Sequence, residues 1–257
     1  YKEIKSLMTD KVVPVEIPIG EGLGFQGIVN LFSKRAHIFK KGTDKGEYDE
    51  ADVPDELQVK FEEWDTELQE ILATTNEDLL ERYLDGEKLT QTDTIEAMAV
   101  GVASCDVIPL FCGSAKQSYG TQTLLDSIVE VYPDPTKNGG EIASQVGVED
   151  EVNIAASDDE TFSALIFKTA SEPHVGELSY FRVMSGSVAN GTDVKNGERG
   201  GTEKLNHLSI PFGKDREEVS RLHAGDIGVV AKLRHSHTND TLTASSRPII
   251  IQKIEFP

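Results

Sequence analysis

Nine residues, Cys112-Gly-Ser-Ala-Lys-Gln-Ser-Tyr-Gly120, are the stretch of this chain best equipped to hold a ligand. An apolar run at residues 107–111 enters them and a short amphipathic run at residues 121–132 leaves them, so the expected order is strand, tight loop, helix. Small residues at Gly113, Ser114 and Ala115 let backbone N–H groups approach the edge of a flat ring. Ser114 and Ala115 are therefore expected to donate to a ring carbonyl, with the aliphatic stem of Lys116 laid on the ring face. An amino group at the carbonyl position would leave those donors unpaired, so such a loop discriminates between the two ring types. The same residues also fit a plain strand-to-helix turn.

The remaining motifs exclude more than they offer. There is no G-x-x-x-x-G-K-[ST] phosphate loop and no Asn-Lys-x-Asp base-reading motif. Gly22, Gly24 and Gly27 give a formal G-x-G-x-x-G, but residues 25–39 are β-branched and aromatic, so no helix begins there to meet a pyrophosphate. A glycine-rich hairpin loop is expected instead. His235-x-His237 reads as a surface pair and not a metal site, because no cysteine or carboxylate stands at ligand spacing. Ser114 lacks a G-x-S-x-G context and is no hydrolase nucleophile. Nucleotide hydrolysis needs a phosphate cradle, Mg²⁺ ligands and a water-positioning group, so no catalytic residue is visible. Cys105 and Cys112 flank the apolar strand and read as two reduced, buried thiols.

The elements that must position the loop are legible around it. At 38% apolar and 27% charged, the 257 residues have the composition of one or two soluble domains. No run approaches the roughly 18 apolar residues of a membrane span, and no basic-then-apolar leader is present. The net charge of −20 argues against a wholesale basic grip on nucleic acid. Twelve acidic residues crowd positions 55–87 against Lys60 and Arg82, an acidic helical face that is solvated or meets a basic partner. Residues 12–19 and 25–39 read as strands. Residues 55–73 read as a helix with Leu57, Phe61, Trp64, Leu68, Ile71 and Leu72 inward. Asn76 is expected to cap a second helix that stops at Gly86, and Thr90 to open a third with Ile95, Met98 and Val102 inward. Pro133-Asp-Pro135 and Asn138-Gly-Gly140 mark a boundary. Beyond it, residues 161–169, 177–184, 204–210, 227–233 and 249–254 read as strands, with a type I′ hairpin at Asn190-Gly191 and a turn at Ala224-Gly-Asp226. Short, evenly spaced strands predict a closed barrel.

Four anchors, in order, resemble the elongation factor G family of translational GTPases over nearly the whole chain. Ile19-Gly20 with Phe25-Gln-Gly-Ile-Val-Asn-Leu31 is similar to the strand after that family's base-reading motif. Glu81-Arg-Tyr-Leu-Asp-Gly-Glu87 resembles its inserted subdomain, and Cys112-Gly-Ser-Ala115 its last guanine loop. Leu178-Ser-Tyr-Phe-Arg-Val-Met-Ser-Gly186, with His223-Ala-Gly-Asp-Ile227, resembles its second domain. The resemblance implies an α/β plus all-β fold: the carboxyl-terminal part of a P-loop GTPase domain with an inserted α+β subdomain, followed by a translation-factor β-barrel. The G-domain part would occupy residues 1–136, its inserted acidic helical subdomain about 30–104, a linker 137–150 and the domain II barrel 151–257. Tyr1 and Phe256-Pro257 then read as cut points in a longer chain.

The same resemblance implies a cytoplasmic, monomeric factor that drives GTP-dependent movement of transfer and messenger RNA. Its partners would be ribosomal RNA and the ribosomal stalk protein, with tRNA and mRNA met indirectly and no membrane. GTP or GDP with Mg²⁺ would belong to the whole protein, a GTPase, with none expected on this stretch alone. Gly113, Ser114, Ala115 and Lys116 would form the guanine loop. Lys214, Arg216, Arg221, Lys232 and Arg234 would meet ribosomal RNA, and Glu56, Glu63, Glu67 and Glu70 the stalk protein. Three departures point to a divergent branch: Lys116 where the family has an apolar residue, Thr238-Asn-Asp-Thr-Leu242 for Thr-Gly-Asp-Thr-Leu, and the wording of residues 205–215. Two other readings stay open, a non-enzymatic RNA- or protein-binding module and a ribosomal protection or release factor of the same superfamily.

Overall fold

Val15 divides the expected strand at residues 12–19 in two in the computed structural model, which describes residues 1–43, 45–137, 140–147, 151–173, 175–213 and 215–255. The chain separates into two units, Tyr1–Pro133 and Asp134–Pro257. It is mostly β with helices concentrated in the first unit.

The first unit opens with α1 (Lys2–Leu7) and β1 (Val12–Pro14), then enters an antiparallel meander of β2 (Glu16–Ile19), β3 (Gly27–Asn30), β4 (Arg35–Phe39) and β5 (Tyr48–Ala51). The glycine-rich loop joins β2 to β3 as an antiparallel pair, with Ile19 opposite Gly27. Helices α2 (Gln58–Ala73), α3 (Glu77–Leu84) and α4 (Gln91–Ala103) follow, then β6 (Ile108–Leu110) and α5 (Thr121–Val131). β6 lies parallel to β1, Val12 opposite Ile108. Parallel partners need a long crossover, and here residues 15–107 fill it with the meander and three helices.

Periodicity explains the helices. Leu68 and Leu72 of α2 are fully buried, and Leu57, Phe61, Trp64 and Ile71 pack beside them with Val13, Ile17, Leu31 and Met98. Each such side chain contributes about 1.5–3 kcal/mol. Asn76 caps α3 by accepting from Asp78 and Leu79 N–H. Thr90 and Asp93 form a reciprocal capping box on α4. The acidic face is less uniform than its composition implies. Asp65 is buried, accepting from Lys34 Nζ at 3.0 Å and Gln69 Nε2 at 2.7 Å, while Gln69 Oε1 takes Leu89 N–H. Both cysteines are free, but Cys105 is exposed, because a left-handed residue (φ 59°) turns the chain outward after α4.

The second unit carries β7 (Glu141–Gln145), β8 (Glu151–Ile154), β9 (Ser163–Glu172), β10 (Gly176–Ser185), β11 (Val188–Ala189), β12 (Thr192–Asn196), β13 (Thr202–Leu205), β14 (Ser209–Phe212), β15 (Asp215–Glu218), β16 (Arg221–Leu222), β17 (Ile227–Ala231), β18 (Thr241–Thr243) and β19 (Ile249–Ile251). Eight of them form one sheet in the order β13-β12-β18-β9-β10-β17-β14-β15. Register shifts at Tyr180/Phe181 and Val183/Ser185 interrupt the β9–β10 ladder, and such irregularities bend a strand. The sheet wraps Phe162, Ile166, Phe181, Val194, Leu205 and Leu242 into one core.

Four expectations change here. The barrel does not close by strand pairing: among the described residues β13 and β15 remain edges of a curled sheet. Residues 137–150 are not all linker, since β7 pairs with β8 and β19. The strand expected at residues 204–210 is two strands, parted where His207 adopts a left-handed φ of 55°. Asn190-Gly191 makes no type I′ hairpin. Only Gly191 has positive φ, and β11 pairs with β16 while β12 pairs with β13 and β18. Part of the Asn138-Gly-Gly140 break and the Phe256-Pro257 end lie outside the described residues.

Candidate functional site

The loop after β6 closes on itself. Ser114 N–H donates to Tyr119 O at 2.9 Å and Tyr119 N–H returns to Ser114 O at 3.1 Å. Gly113 and Gly120 make that closure possible. A Cβ on Gly113 would sit 2.8 Å from Tyr119 O, and Gly120 holds a left-handed φ of 77° with Cys112 O 2.5 Å from where its Cβ would be. Behind the loop, the Tyr119 ring stacks on Phe39 at 4.7 Å and both lie beside Phe25. The meander thus supplies an aromatic backing that fixes where the loop points.

The donors are shifted by one residue from expectation. Ser114 N–H is consumed inside the loop, and Ser114 Oγ donates to Gln117 Oε1 at 2.9 Å. A short 3-10 turn follows, Ala115–Gln117. The N–H groups of Ala115 and Lys116 open that turn with no acceptor among the described residues. Ala115 and Lys116 are exposed. A cleft of 520 Å³ lies against the loop, bounded by Gly20, Phe25, Cys112, Gly113, Ser114 and Gln117.

Glu16, at the head of β2, anchors the loop's entry. It is 1% exposed, and its Oε2 accepts Cys112 N–H at 2.7 Å while Oε1 has no partner among the described residues. Burial drives its carboxyl from the ordinary 4.5 up to about 7, against the pull of the Cys112 N–H. Burial and then the Glu16 charge push the Cys112 thiol up to about 11, so it is an inert thiol at neutral pH. Glu16, Phe39 and Tyr119 escaped the sequence reading. One signal existed for Glu16: a lone charge inside Val12-Val-Pro-Val-Glu-Ile-Pro-Ile19.

The basic residues of the second unit fall into two groups. Arg216, Lys232 and Arg234 line one cleft of 840 Å³ that runs past Glu203 and Lys204 on β13 to Ser209 on β14. Arg216 pairs with Glu172 at 3.3 Å, whereas Lys232 and Arg234 have no ion-pair partner among the described residues. Arg221 lies apart on β16, donating to Ser187 Oγ at 2.9 Å. Lys214 lies outside the described residues. On α2 and the turn before it, Glu56, Glu63 and Glu70 are exposed. Glu67 is half-buried and already accepts from Lys5 Nζ at 2.9 Å and Tyr1 Oη at 2.8 Å. Lys5 chiefly, with Tyr1, holds its carboxyl below the usual range despite partial burial.

Among the described residues no three His, Cys, Asp or Glu side chains converge to hold a metal ion. The N–H groups of Ala115 and Lys116 are open backbone donors of the loop among the described residues. No helix among the described residues is long and apolar enough to cross a membrane.

Residues 161–245 match the sequence model of elongation factor G domain 2. Over its full length the chain is similar to a crystal structure from Thermus thermophilus, with a TM-score of 0.76 and 26% sequence identity, and spans 34% of that protein's length. The curled sheet of the second unit thus matches elongation factor G domain 2, and the whole chain shares its fold with a longer protein.

Proposed function

We propose that this chain serves in translation as part of a ribosome-associated elongation factor, a GTPase that moves transfer and messenger RNA. The observation that carries the reading is the domain 2 match at residues 161–245. The loop after β6 supports it. Ala115 and Lys116 would donate backbone N–H to the guanine carbonyl, with Gly113 and Gly120 closing the loop and Glu16 holding its entry. The phosphates and Mg²⁺ of GTP would be held by residues outside this chain and supply the hydrolytic chemistry there. The chain's own residues bind and orient the base, and Lys232, Arg216 and Arg221 face RNA. Exposed Glu56, Glu63 and Glu70 would meet a basic surface of the stalk protein, a weak contact that salt screens.

Co-sedimentation with ribosomes across a salt series tests the reading. Association is expected at low salt, released as salt rises, because each phosphate neutralised adds about −0.7 to −0.9 to the log–log slope. No association at the lowest salt at which the chain stays soluble would defeat it. Calorimetry with micromolar GDP is expected to give no saturable heat. A binding curve there would mean that this chain contacts the phosphates after all.

A further inference from the structure

Strand β4 buries a histidine that nothing holds by hydrogen bonding. His37 is 5% exposed, and neither Nδ1 nor Nε2 has a hydrogen-bond partner among the described residues. Its ring lies on Tyr48 of β5, with centroids 4.1 Å apart and planes 11° from parallel. His37 stands opposite Glu50 and Phe39 opposite Tyr48, so the stack runs diagonally across the strand pair. Burial holds the imidazole below its ordinary 6.5, and the Glu50 charge offsets only part of that. Around the stack, Asp126 of α5 acts on the Tyr48 hydroxyl. On β4 and β5, Arg35 pairs with Asp52 and Lys40 with Asp49. From β3, Ile28 stands opposite His37 and brings no charge.

The same two strands reach the loop at residues 112–120 at two points. Phe39, two residues beyond His37, stacks on Tyr119 at 4.7 Å. Gly46, just before β5, lies so close that a Cβ on it would stand 1.9 Å from Ser118 O, and no side chain fits there. Tyr119 is the residue whose N–H and C=O close the loop on Ser114. His37 therefore sits in the packing that ties β5 to the loop. A neutral imidazole fills that place with one donor and one acceptor unmet. An imidazolium carries two donors and a charge with no acceptor at hand, which drives the ring toward water and breaks the Tyr48 stack.

We propose that His37 is a positioning residue for this loop: neutral, it holds β5 and Phe39 against the loop, and protonated, it releases them and loosens the Ser114–Tyr119 closure. This deepens the reading of the loop as a base contact and rests on it only for what the loop would hold. Linkage gives the direction. The opened strands protonate at the ordinary 6.5 and the closed ones at a lower pH, so opening gains as pH falls below 6.5. The gain is at most about tenfold per pH unit.

The test is amide hydrogen exchange by NMR on the whole chain without nucleotide, read as protection factors between pH 5 and pH 8. Lys40 N–H, bonded to Glu47 O, reports the strand pair, and Ser114 and Tyr119 N–H report the loop. Leu31 N–H, bonded to Val15 O, reports the rest of the unit. From pH 7 to pH 5, protection at Lys40, Ser114 and Tyr119 is expected to fall severalfold relative to Leu31. His37→Phe keeps a stacking ring without a titrating group and is expected to abolish that fall. Glu16 titrates in the same range in both proteins and cancels. Glu50→Gln removes the charge that favours protonation of the closed form and is expected to extend the fall to lower pH. A fall at Lys40 alone overturns the coupling to the loop, and an equal fall at Leu31 reveals only global unfolding and overturns the proposal. Parallel profiles in wild type and His37→Phe overturn it too. Should that variant not fold, the His37 Cε1–H resonance decides in the wild type: a midpoint below 6.5 is expected, and one at or above it overturns the proposal. Ribosome co-sedimentation at pH 7.5 keeps the two claims apart. Association with a flat loop profile removes the role of His37 and keeps the translational reading. The expected profile with no association does the reverse.

Discussion

Replacing Glu16 with Gln is expected to make the first unit progressively more stable relative to the wild type as pH rises from 5 to 8. Glu16 is 1% exposed and one carboxylate oxygen lacks a partner among the described residues, so its charge is poorly solvated in the folded state. Its carboxyl titrates at about 7 when folded and at the ordinary 4.5 when unfolded. Between those values the folded chain keeps a proton that the unfolded chain has released, so stability falls as pH rises through the window. Above about 7 both states are ionised and the loss is complete. The displacement from 4.5 to about 7 is worth about 3 kcal/mol at about 1.36 kcal/mol per pH unit. Gln still accepts the Cys112 N–H but leaves an amide donor facing the site of the orphan oxygen, a fixed offset at every pH. The slope of the difference against pH, not its sign at one pH, carries the test. Trp64 is the only tryptophan and sits on α2, so urea melts followed by its fluorescence report the first unit alone. Carboxylates held low, such as Asp93 and Asp106, act at more acid pH and cancel between variant and wild type. Parallel stability curves for the two proteins between pH 5 and pH 8 would refute a buried, ionisable Glu16.

Gly120→Ala places a side chain at a φ of 77° against the Cys112 carbonyl and is expected to cost about 1–3 kcal/mol in the same Trp64 melts. Leu68→Ala empties a fully buried site on α2 and is expected to cost about 2–5 kcal/mol there. Asn196→Ala strips the hub shared by Glu198, Arg199, His235, Ser236 and Asp240, with an expected loss of order 3 kcal/mol. A calorimetric scan should show that loss in one transition and spare the one that Trp64 reports. Glu56→Lys with Glu63→Lys is expected to weaken association with the stalk protein in surface plasmon resonance, the effect shrinking as salt is raised.

What local chemistry decides was legible in the sequence. The caps at Asn76 and Thr90 follow from side chains reaching their own helix ends, and Leu68 and Leu72 follow from a stripe of period near 3.6. The loop at residues 112–120 was legible because its glycines are demanded by its own closure. What depends on partners far along the chain was not. Asp65 resembles any solvated carboxylate of an acidic helix until Lys34, 31 residues earlier, reaches it. Residues 141–145 carry no apolar alternation strong enough to announce a strand, yet β19 arrives from over a hundred residues later to pair with them. Asn190-Gly191 carries a hairpin signal that β16 and β13 outcompete by pairing with its two arms separately. The Ser114 N–H differs from expectation for a related reason, since only the structure reveals that Tyr119 takes it first.

Two loops of the chain share one physical device. Each is an irregular loop whose backbone N–H groups have no ladder partner, and a buried N–H left alone costs about as much as a missing hydrogen bond. A carboxylate placed behind the loop accepts those donors with charge assistance: Glu16 takes Cys112, Glu203 takes Arg234 and His235, and Asp240 takes His237. Burying the carboxylate is costly, and the cost is lowest where it collects most donors. Glu203, with three donors, has both oxygens engaged, while Glu16, with one, keeps an orphan oxygen and a carboxyl titrating near neutrality. The arrangement also keeps local charge distinct from the net charge of −20. Exposed charges farther off than a screening length of about 8–10 Å are largely screened. Within that length, Glu203 and Asp240 are turned inward and masked by the N–H groups they hold. What is left at the surface there is Arg199 and Arg234 with the rings of His235 and His237, so local placement and not overall charge decides what this face presents.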